Sequence, residues 1–201
     1  MTKSAIREPR QARSRETWQR VLDAGLELLE EGGYAALTVD ALCARAGATP
    51  PSVYARAGNK ERLLLAIYEH AMERIDASGI DADDPSWTAL SRAEVIERAV
   101  DDVCRGWLDN AGLLRPIVHR AGHDAEVFRR GSEASRELAA DFRTVLKHAG
   151  IARRDADAVF RLVYAACVQR VMYGEAFESD VPLSDKQFTA VLRRTAARYL
   201  S

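Results

Sequence analysis

Cysteine is scarce: Cys43, Cys104 and Cys167 are the only three in 201 residues. They are too few and too widely spaced for a disulfide framework or a zinc site, and an odd count suits a reducing compartment. The chain has no run of about 20 apolar residues that could span a bilayer. No apolar stretch near its start resembles a signal peptide. Together these absences predict a cytoplasmic protein with no membrane partner. The net charge of −1 gives no general attraction to nucleic acid or to a lipid surface. No segment alternates polar and apolar residues as a half-buried strand does, and there is no internal repeat or low-complexity tract. Phosphate loops, nucleophile elbows and paired ligand motifs are missing too. Gly131-Ser132 lacks the strand context that a hydrolase elbow requires. These absences argue against an enzyme and against a resident cofactor or metal.

Charge is unevenly placed, however. In residues 1–20, Lys3, Arg7, Arg10, Arg13, Arg15 and Arg20 face only Glu8 and Glu16. A basic arm of this kind can lie along phosphates even while flexible. From Ser14 to Glu31, Trp18, Val21, Leu22, Gly25, Leu28 and Leu29 recur at helical spacing, and Gly32-Gly33 marks the stop. The stretch Thr38 to Lys60 then reads as two short helices about a tight turn. Thr38 is a candidate N-cap, and Val39, Leu42 and Cys43 form an apolar edge. Gly47 falls where the chain must turn sharply. Thr49 caps a second helix with Pro50 at its first position, where a missing N–H costs nothing. Such an element presents the N-terminal end of its second helix, which is how a helix-turn-helix enters a DNA major groove. Asn59-Lys60-Glu61 starts a further helix carrying Leu63, Leu64, Ile67 and Met72.

The order is basic tail, long helix, GY-x-x-x-T-V, A-x-A-G-x-T, a short helix with Tyr54, then N-K-E-x-L. It resembles the N-terminal domain of the TetR (tetracycline-repressor) family of bacterial regulators over roughly residues 13–70. Pro51, Arg56 and Ala57 stand where members of the family often carry a recognition-helix glycine and an aromatic pair, while Val53 and Tyr54 match the usual Leu-Tyr. The resemblance implies an all-α protein: an N-terminal three-helix helix-turn-helix head followed by a C-terminal helical ligand-binding and dimerisation domain. The expected bounds are a basic flexible tail over 1–12, the head over 13–58, and the larger domain over 59–201, with a connecting helix over 60–77. On this reading Thr38 and Thr49 offer hydroxyls and helix N-termini to phosphates. Pro50 and Ser52 face base edges, Tyr54 and Lys60 meet the backbone, and Arg13 and Arg15 hold the flanking strand.

The rest of the chain is expected to be helical. Ile75 to Pro85 is a composition break whose Asp76, Asp81, Asp83 and Asp84 lack calcium-loop spacing and read as a solvated loop. After it, apolar residues recur at intervals of three and four to the end. One helix-turn-helix covers few base pairs, and each base contact discriminates by only about 1–3 kcal/mol. A homodimer on a near-palindromic double-stranded operator is therefore expected. Its candidate face is Val163, Ala166, Val171, Leu192, Ala196 and Tyr199, since the family pairs through its last two helices. The family's middle helices enclose a ligand cavity. The candidate lining here is Trp107, Leu114, Ile117, His119, His123, Phe128, Phe142 and Tyr164, which suits a small, mostly apolar effector. His119 and His123 are four apart, but Gly122 interrupts them and no third ligand is near, so they read as surface or pocket histidines rather than as a metal site. The expected function is a repressor released by its effector. Two alternatives are a cysteine-based redox-sensing regulator and, more remotely, a helical enzyme. The first is opposed by the placement of Cys43 on the apolar side of the head and of Cys104 and Cys167 in helical cores, since buried thiols are usually inert.

Overall fold

A computed structural model describes residues 7–76, 79–177 and 179–201, with backbone alone for residues 7–13 and 76. Among the described residues there are nine α-helices, one 3-10 turn and no strand. None of those helices is long and apolar enough to cross a membrane. The chain divides into two compact units, residues 1–74 and 75–201.

In the first unit, α1 runs over Arg7–Ala36, α2 over Val39–Ala46, α3 over Pro50–Ala57 and α4 over Lys60–Asp76. Helix α1 begins at Arg7, inside the segment expected to be a flexible tail. Its regular path breaks where the sequence suggests: Gly32 and Gly33 leave helical geometry, Gly33 with φ of 61°. The core is built from Val21, Leu29, Leu42, Val53, Leu63 and Ile67, all nearly inaccessible to solvent. Burying a side chain of this size stabilises the fold by about 1.5–3 kcal/mol. Gly25 lets α1 approach α4 closely, since a Cβ there would lie 2.7 Å from Ile67 Cδ1. His70 Nε2 meets Asp23 Oδ1 at 2.8 Å, and Arg74 reaches Glu30 at 3.7 Å. Helix α4 is thus packed into the head, and the boundary falls after Arg74, not near residue 58.

The second unit opens with a 3-10 turn over Pro85–Ala89, then α5 (Arg92–Leu108), α6 (Ala111–Ala121), α7 (Ala125–His148), α8 (Arg153–Tyr173) and α9 (Asp185–Tyr199). Reciprocal capping boxes start α5 (Ser91 with Glu94) and α9 (Ser184 with Gln187), while Asp124 caps α7 by accepting from the N–H groups of Glu126 and Val127. Helix α5 is the central element, packed against α7, α8 and α9. It buries Val95, Ala99, Val100, Val103 and Cys104 almost completely.

The acidic loop is more ordered than its composition suggests. Trp87 is fully buried. Its Nε1–H donates to the Asp81 carbonyl at 2.7 Å, and the Arg98 guanidinium lies 4.0 Å from its ring. Asp84 accepts from Ser86 N–H and binds Arg98, which together hold its carboxyl down at about 2. The side chain of Asp76 lies outside the described residues. Arg92 is a clamp at the start of α5. Its two terminal nitrogens donate to the carbonyls of Ala149 and Leu200, each at 2.7 Å, tying the α7–α8 turn to the end of α9.

Candidate functional site

The head's exposed element is the turn from α2 into α3. Thr38 caps α2 by accepting from Ala41 N–H at 3.2 Å. Gly47 adopts the left-handed conformation (φ 61°, ψ 37°), its N–H bonded to the Cys43 carbonyl. Arg20 Nε reaches across from α1 to the Ala46 carbonyl at 3.1 Å and fixes the end of α2. Helix α3 therefore leaves a braced turn.

The start of α3 has an unusual donor inventory. Pro50 and Pro51 are its first two residues, and neither has an N–H. The N–H groups of Ser52 and Val53 both go to the Thr49 carbonyl, at 2.9 and 3.1 Å. The Ser52 hydroxyl folds back, accepting from Thr49 N–H at 3.2 Å and donating to Thr49 C=O at 2.7 Å. Every backbone donor at this helix end is absent or engaged. The expectation that the α3 N-terminus offers N–H groups to phosphate is corrected: Thr49 has only its hydroxyl to offer there. Ser52 likewise presents an oxygen whose proton is already committed.

The remaining side chains expected at DNA are placed as follows. Thr38, Thr49, Pro50, Ser52, Lys60 and Arg15 are exposed, and Tyr54 is 37% exposed. The side chain of Arg13 lies outside the described residues. Gly58 ends α3, and Asn59 Oδ1 caps α4 by accepting from Arg62 N–H at 2.8 Å, which sets Lys60 at the first position of α4. Two other cations of the head are engaged. Arg45 forms a bidentate pair with Glu31, both contacts at 2.8 Å, and the Arg45 hydrogen bonds hold the Glu31 carboxyl below its usual range. Arg56 lies 5.3 Å from the centre of the Trp18 ring. The Arg45–Glu31 pair joins residues 14 apart on different helices, so periodicity gave no sign of it.

Residues 21–67 match the sequence profile of the bacterial regulatory proteins of the tetR family. The likeness to the TetR family's DNA-binding head is thus confined to this segment of the first unit. Solved structures agree on the fold of the whole chain. A transcriptional regulator from Rhodococcus sp. RHA1 superposes with a TM-score of 0.70 at 15% identity, over 90% of this chain and 95% of its own. A TetR transcription regulator from Haloarcula marismortui gives 0.67 at 19% identity, over 93% and 97%. Salmonella enterica GusR gives 0.64 at 16% identity, over 99% of each chain. At such identities the likeness is one of fold. No curated protein sequence matches the chain.

In the second unit, the candidate effector lining is brought together only in part. Trp107 and Tyr164 meet edge to face with ring centres 5.0 Å apart. Phe160 joins Tyr164 at 5.4 Å and Phe142 at 5.5 Å. The Tyr164 hydroxyl shares a 2.5 Å hydrogen bond with Ser135 Oγ. Leu114 and Ile117 are buried on α6. By contrast, Phe128 is 63% exposed and stands apart from the cluster. His119 and His123 lie 5.7 Å apart by ring centres, and His123 is exposed. Asp124 beside them is held by Arg120 and by its capping role. Phe160 and Ser135 were overlooked because each looks like an ordinary helix-face residue until α7 and α8 are packed.

The proposed dimer face needs revision residue by residue. Val163, Val171 and Ala196 are at most 2% exposed, packed within their own unit. Ala166 and Leu192 are half-buried, and Tyr199 is 52% exposed. The apolar surface that α8 and α9 leave open includes Leu162 (55% exposed), Tyr173, Val191 and Tyr199. A period of 3.6 shows that a helix has two faces, but not which of them is already covered.

Proposed function

We propose that this protein is a homodimeric, cytoplasmic repressor that binds a near-palindromic operator and is released by a small, mostly apolar effector. The observation carrying the DNA part is the braced α2–α3 turn with α3 and Lys60 exposed beside it. Thr38 and Thr49 hydroxyls, the Tyr54 hydroxyl and the Lys60 ammonium would contact phosphates, with Arg15 on the flanking strand. Pro50, Pro51 and Ser52 would meet base edges. Two copies are required because one head discriminates too weakly. Leu162, Val191 and Tyr199, with Leu192 and Ala166 beside them, supply an apolar surface on α8 and α9 for the second copy. Mobility-shift titration with DNA from upstream of the protein's own gene tests the regulator. Retarded duplex that survives excess nonspecific competitor is expected. Binding that competitor abolishes at the same molar ratio as the specific duplex would overturn the reading.

Support for an effector comes from the aromatic cluster of Trp107, Tyr164, Phe160 and Phe142, whose polar tip is the Tyr164–Ser135 pair. Apolar walls with one or two placed polar groups are what small-molecule sites offer. An effector acts only through its different affinities for DNA-competent and DNA-incompetent states. A hundredfold loss of operator affinity corresponds to about 2.7 kcal/mol of coupling. Operator DNA must then weaken effector binding by the same factor. The test is a panel of small apolar metabolites scored by operator release and by quenching of Trp107 emission. Release without quenching places the effector elsewhere.

A further inference from the structure

Cys104 and Cys167 are 63 residues apart, one on α5 and one on α8, and look like unrelated core residues along the chain. The fold brings their sulfurs to 3.9 Å. Both are free, and their residues are 1% and 0% exposed. Packing alone does not account for the surroundings. Thr189 of α9, Arg193 and Asp101 lie close enough to act on the charge of the Cys104 thiol. Cys104 also lines a groove of about 700 Å³, with Asp101, Arg105, Thr189 and Arg193 among the other walls. One sulfur of the pair therefore borders a solvent-connected cleft, and the other sits directly behind it.

We propose that Cys104 and Cys167 form a dithiol that hydroperoxides oxidise to a disulfide bridging α5 and α8. A buried thiol is ordinarily inert because burial raises its pKa and keeps oxidants out, and a sulfenic acid formed there becomes a disulfide only where a second thiol can reach it. Here the partner is already in contact. In the first step the Cys104 thiolate attacks the near peroxide oxygen. The S–O bond forms, the O–O bond breaks, and the leaving alkoxide takes a proton to become an alcohol, or water from hydrogen peroxide. In the second step the Cys167 sulfur attacks the Cys104 sulfur. The S–S bond forms, the S–OH bond breaks, and hydroxide leaves as water with the Cys167 proton. Two thiols are oxidised and one hydroperoxide is reduced. The roles follow from the hydrogen bond. Cys167 donates to Cys104; that hydrogen bond and burial push the Cys167 thiol up, while the same hydrogen bond, acting against burial, holds the Cys104 thiol below its usual range. The sulfurs must close from 3.9 Å to about 2.05 Å, the length of a disulfide. That closure is shared between two side-chain rotations and a small approach of the two helices.

Thiol counting tests this without DNA or effector, so its outcome is separate from the fate of the operator reading. The full-length protein is treated with hydrogen peroxide or cumene hydroperoxide, denatured, alkylated and mapped by mass. Alkylatable thiols should fall from the three in the sequence to Cys43 alone. A Cys104–Cys167 peptide pair, lighter by two hydrogens, should appear and be lost on dithiothreitol. In Cys167→Ser, oxidation should halt at a Cys104 sulfenic acid that dimedone traps. If that variant does not fold, the wild-type map decides alone. Three thiols surviving a dose that fully oxidises a small-molecule dithiol would overturn the proposal. So would a Cys104 sulfinate with Cys167 still alkylatable, or cross-links through Cys43 only.

Discussion

Lys60→Ala and Arg45→Ala make a matched test of the DNA surface, because the structure gives two nearby cations opposite states. Lys60 is exposed at the first position of α4, with no carboxylate partner among the described residues. Arg45 is held by Glu31 through two contacts of 2.8 Å, with Glu27 at 3.6 Å. A cation that replaces counterions on a phosphate contributes about 0.9 to the slope of log affinity against log salt. A dimer carries two Lys60, so removing them should flatten the slope by about 1.8. Between 50 and 200 mM salt, a fourfold change, the advantage of wild type over Lys60→Ala should then shrink about twelvefold. Arg45→Ala should leave the slope unchanged, since its charge is already compensated. Its effect, if any, belongs to stability, and exposed pairs of this kind contribute only about 0–1 kcal/mol. The assay is operator binding by fluorescence anisotropy at four salt concentrations. Equal slopes for wild type and Lys60→Ala would refute the phosphate role, and a flattened slope for Arg45→Ala would refute the argument from pairing.

Three other outcomes are expected. Gly25→Ala should destabilise the head: overpacking against Ile67 costs about 1–3 kcal/mol, against a helix-propensity gain of about 1 kcal/mol. Adding Ile67→Ala, which removes the three atoms at 2.7, 2.8 and 2.9 Å, should cost less in the Gly25→Ala background than in wild type by urea unfolding, and strictly additive effects would contradict the clash. Leu162→Glu should give folded monomers with weakened operator binding in sedimentation and mobility-shift assays, because Leu162 is 55% exposed in the single chain. A dimer of unchanged affinity would remove α8 from the interface. Asp84 has its folded pKa lowered to about 2, so its contribution is complete above its unfolded value near 4 and is lost as pH falls toward 2. The thermal midpoint of Asp84→Asn should therefore fall less than that of wild type across this window, and parallel profiles would count against the Asp84–Arg98 contact.

Much of the head was legible because its signals are local. The caps at Thr38 and Thr49, the turn at Gly47 and the stop at Gly32-Gly33 act within four residues of themselves, and the structure has each where the sequence suggested. The helical periods of the second unit were legible for the same reason. Contacts between helices were not. That Val163, Val171 and Ala196 are covered inside the monomer depends on which helices neighbour them. The meeting of Cys104 with Cys167, the engagement of Arg45, and the separation of Phe128 from the aromatic cluster depend on the same kind of information. Even within the local signals one consequence was missed. Pro50 reads as a helix start whose own missing N–H costs nothing and Pro51 as a departure from the family's pattern, but only the fold shows that the two prolines, with the inward bonds of Ser52 and Val53, remove every backbone donor from this helix end.

That removal shapes how the protein could tell one duplex from another. Set in a major groove, the leading end of α3 would press carbon against the bases: two pyrrolidine rings, with a serine whose hydroxyl bonds close on the backbone of Thr49. Carbon surface cannot read the donor and acceptor pattern of a base pair, but it does feel the C5 methyl of thymine. Cytosine methylated at C5 carries the same methyl in the same place. To a reader built this way, enzymatic methylation of an operator would register as a change of letter rather than as a mark upon it.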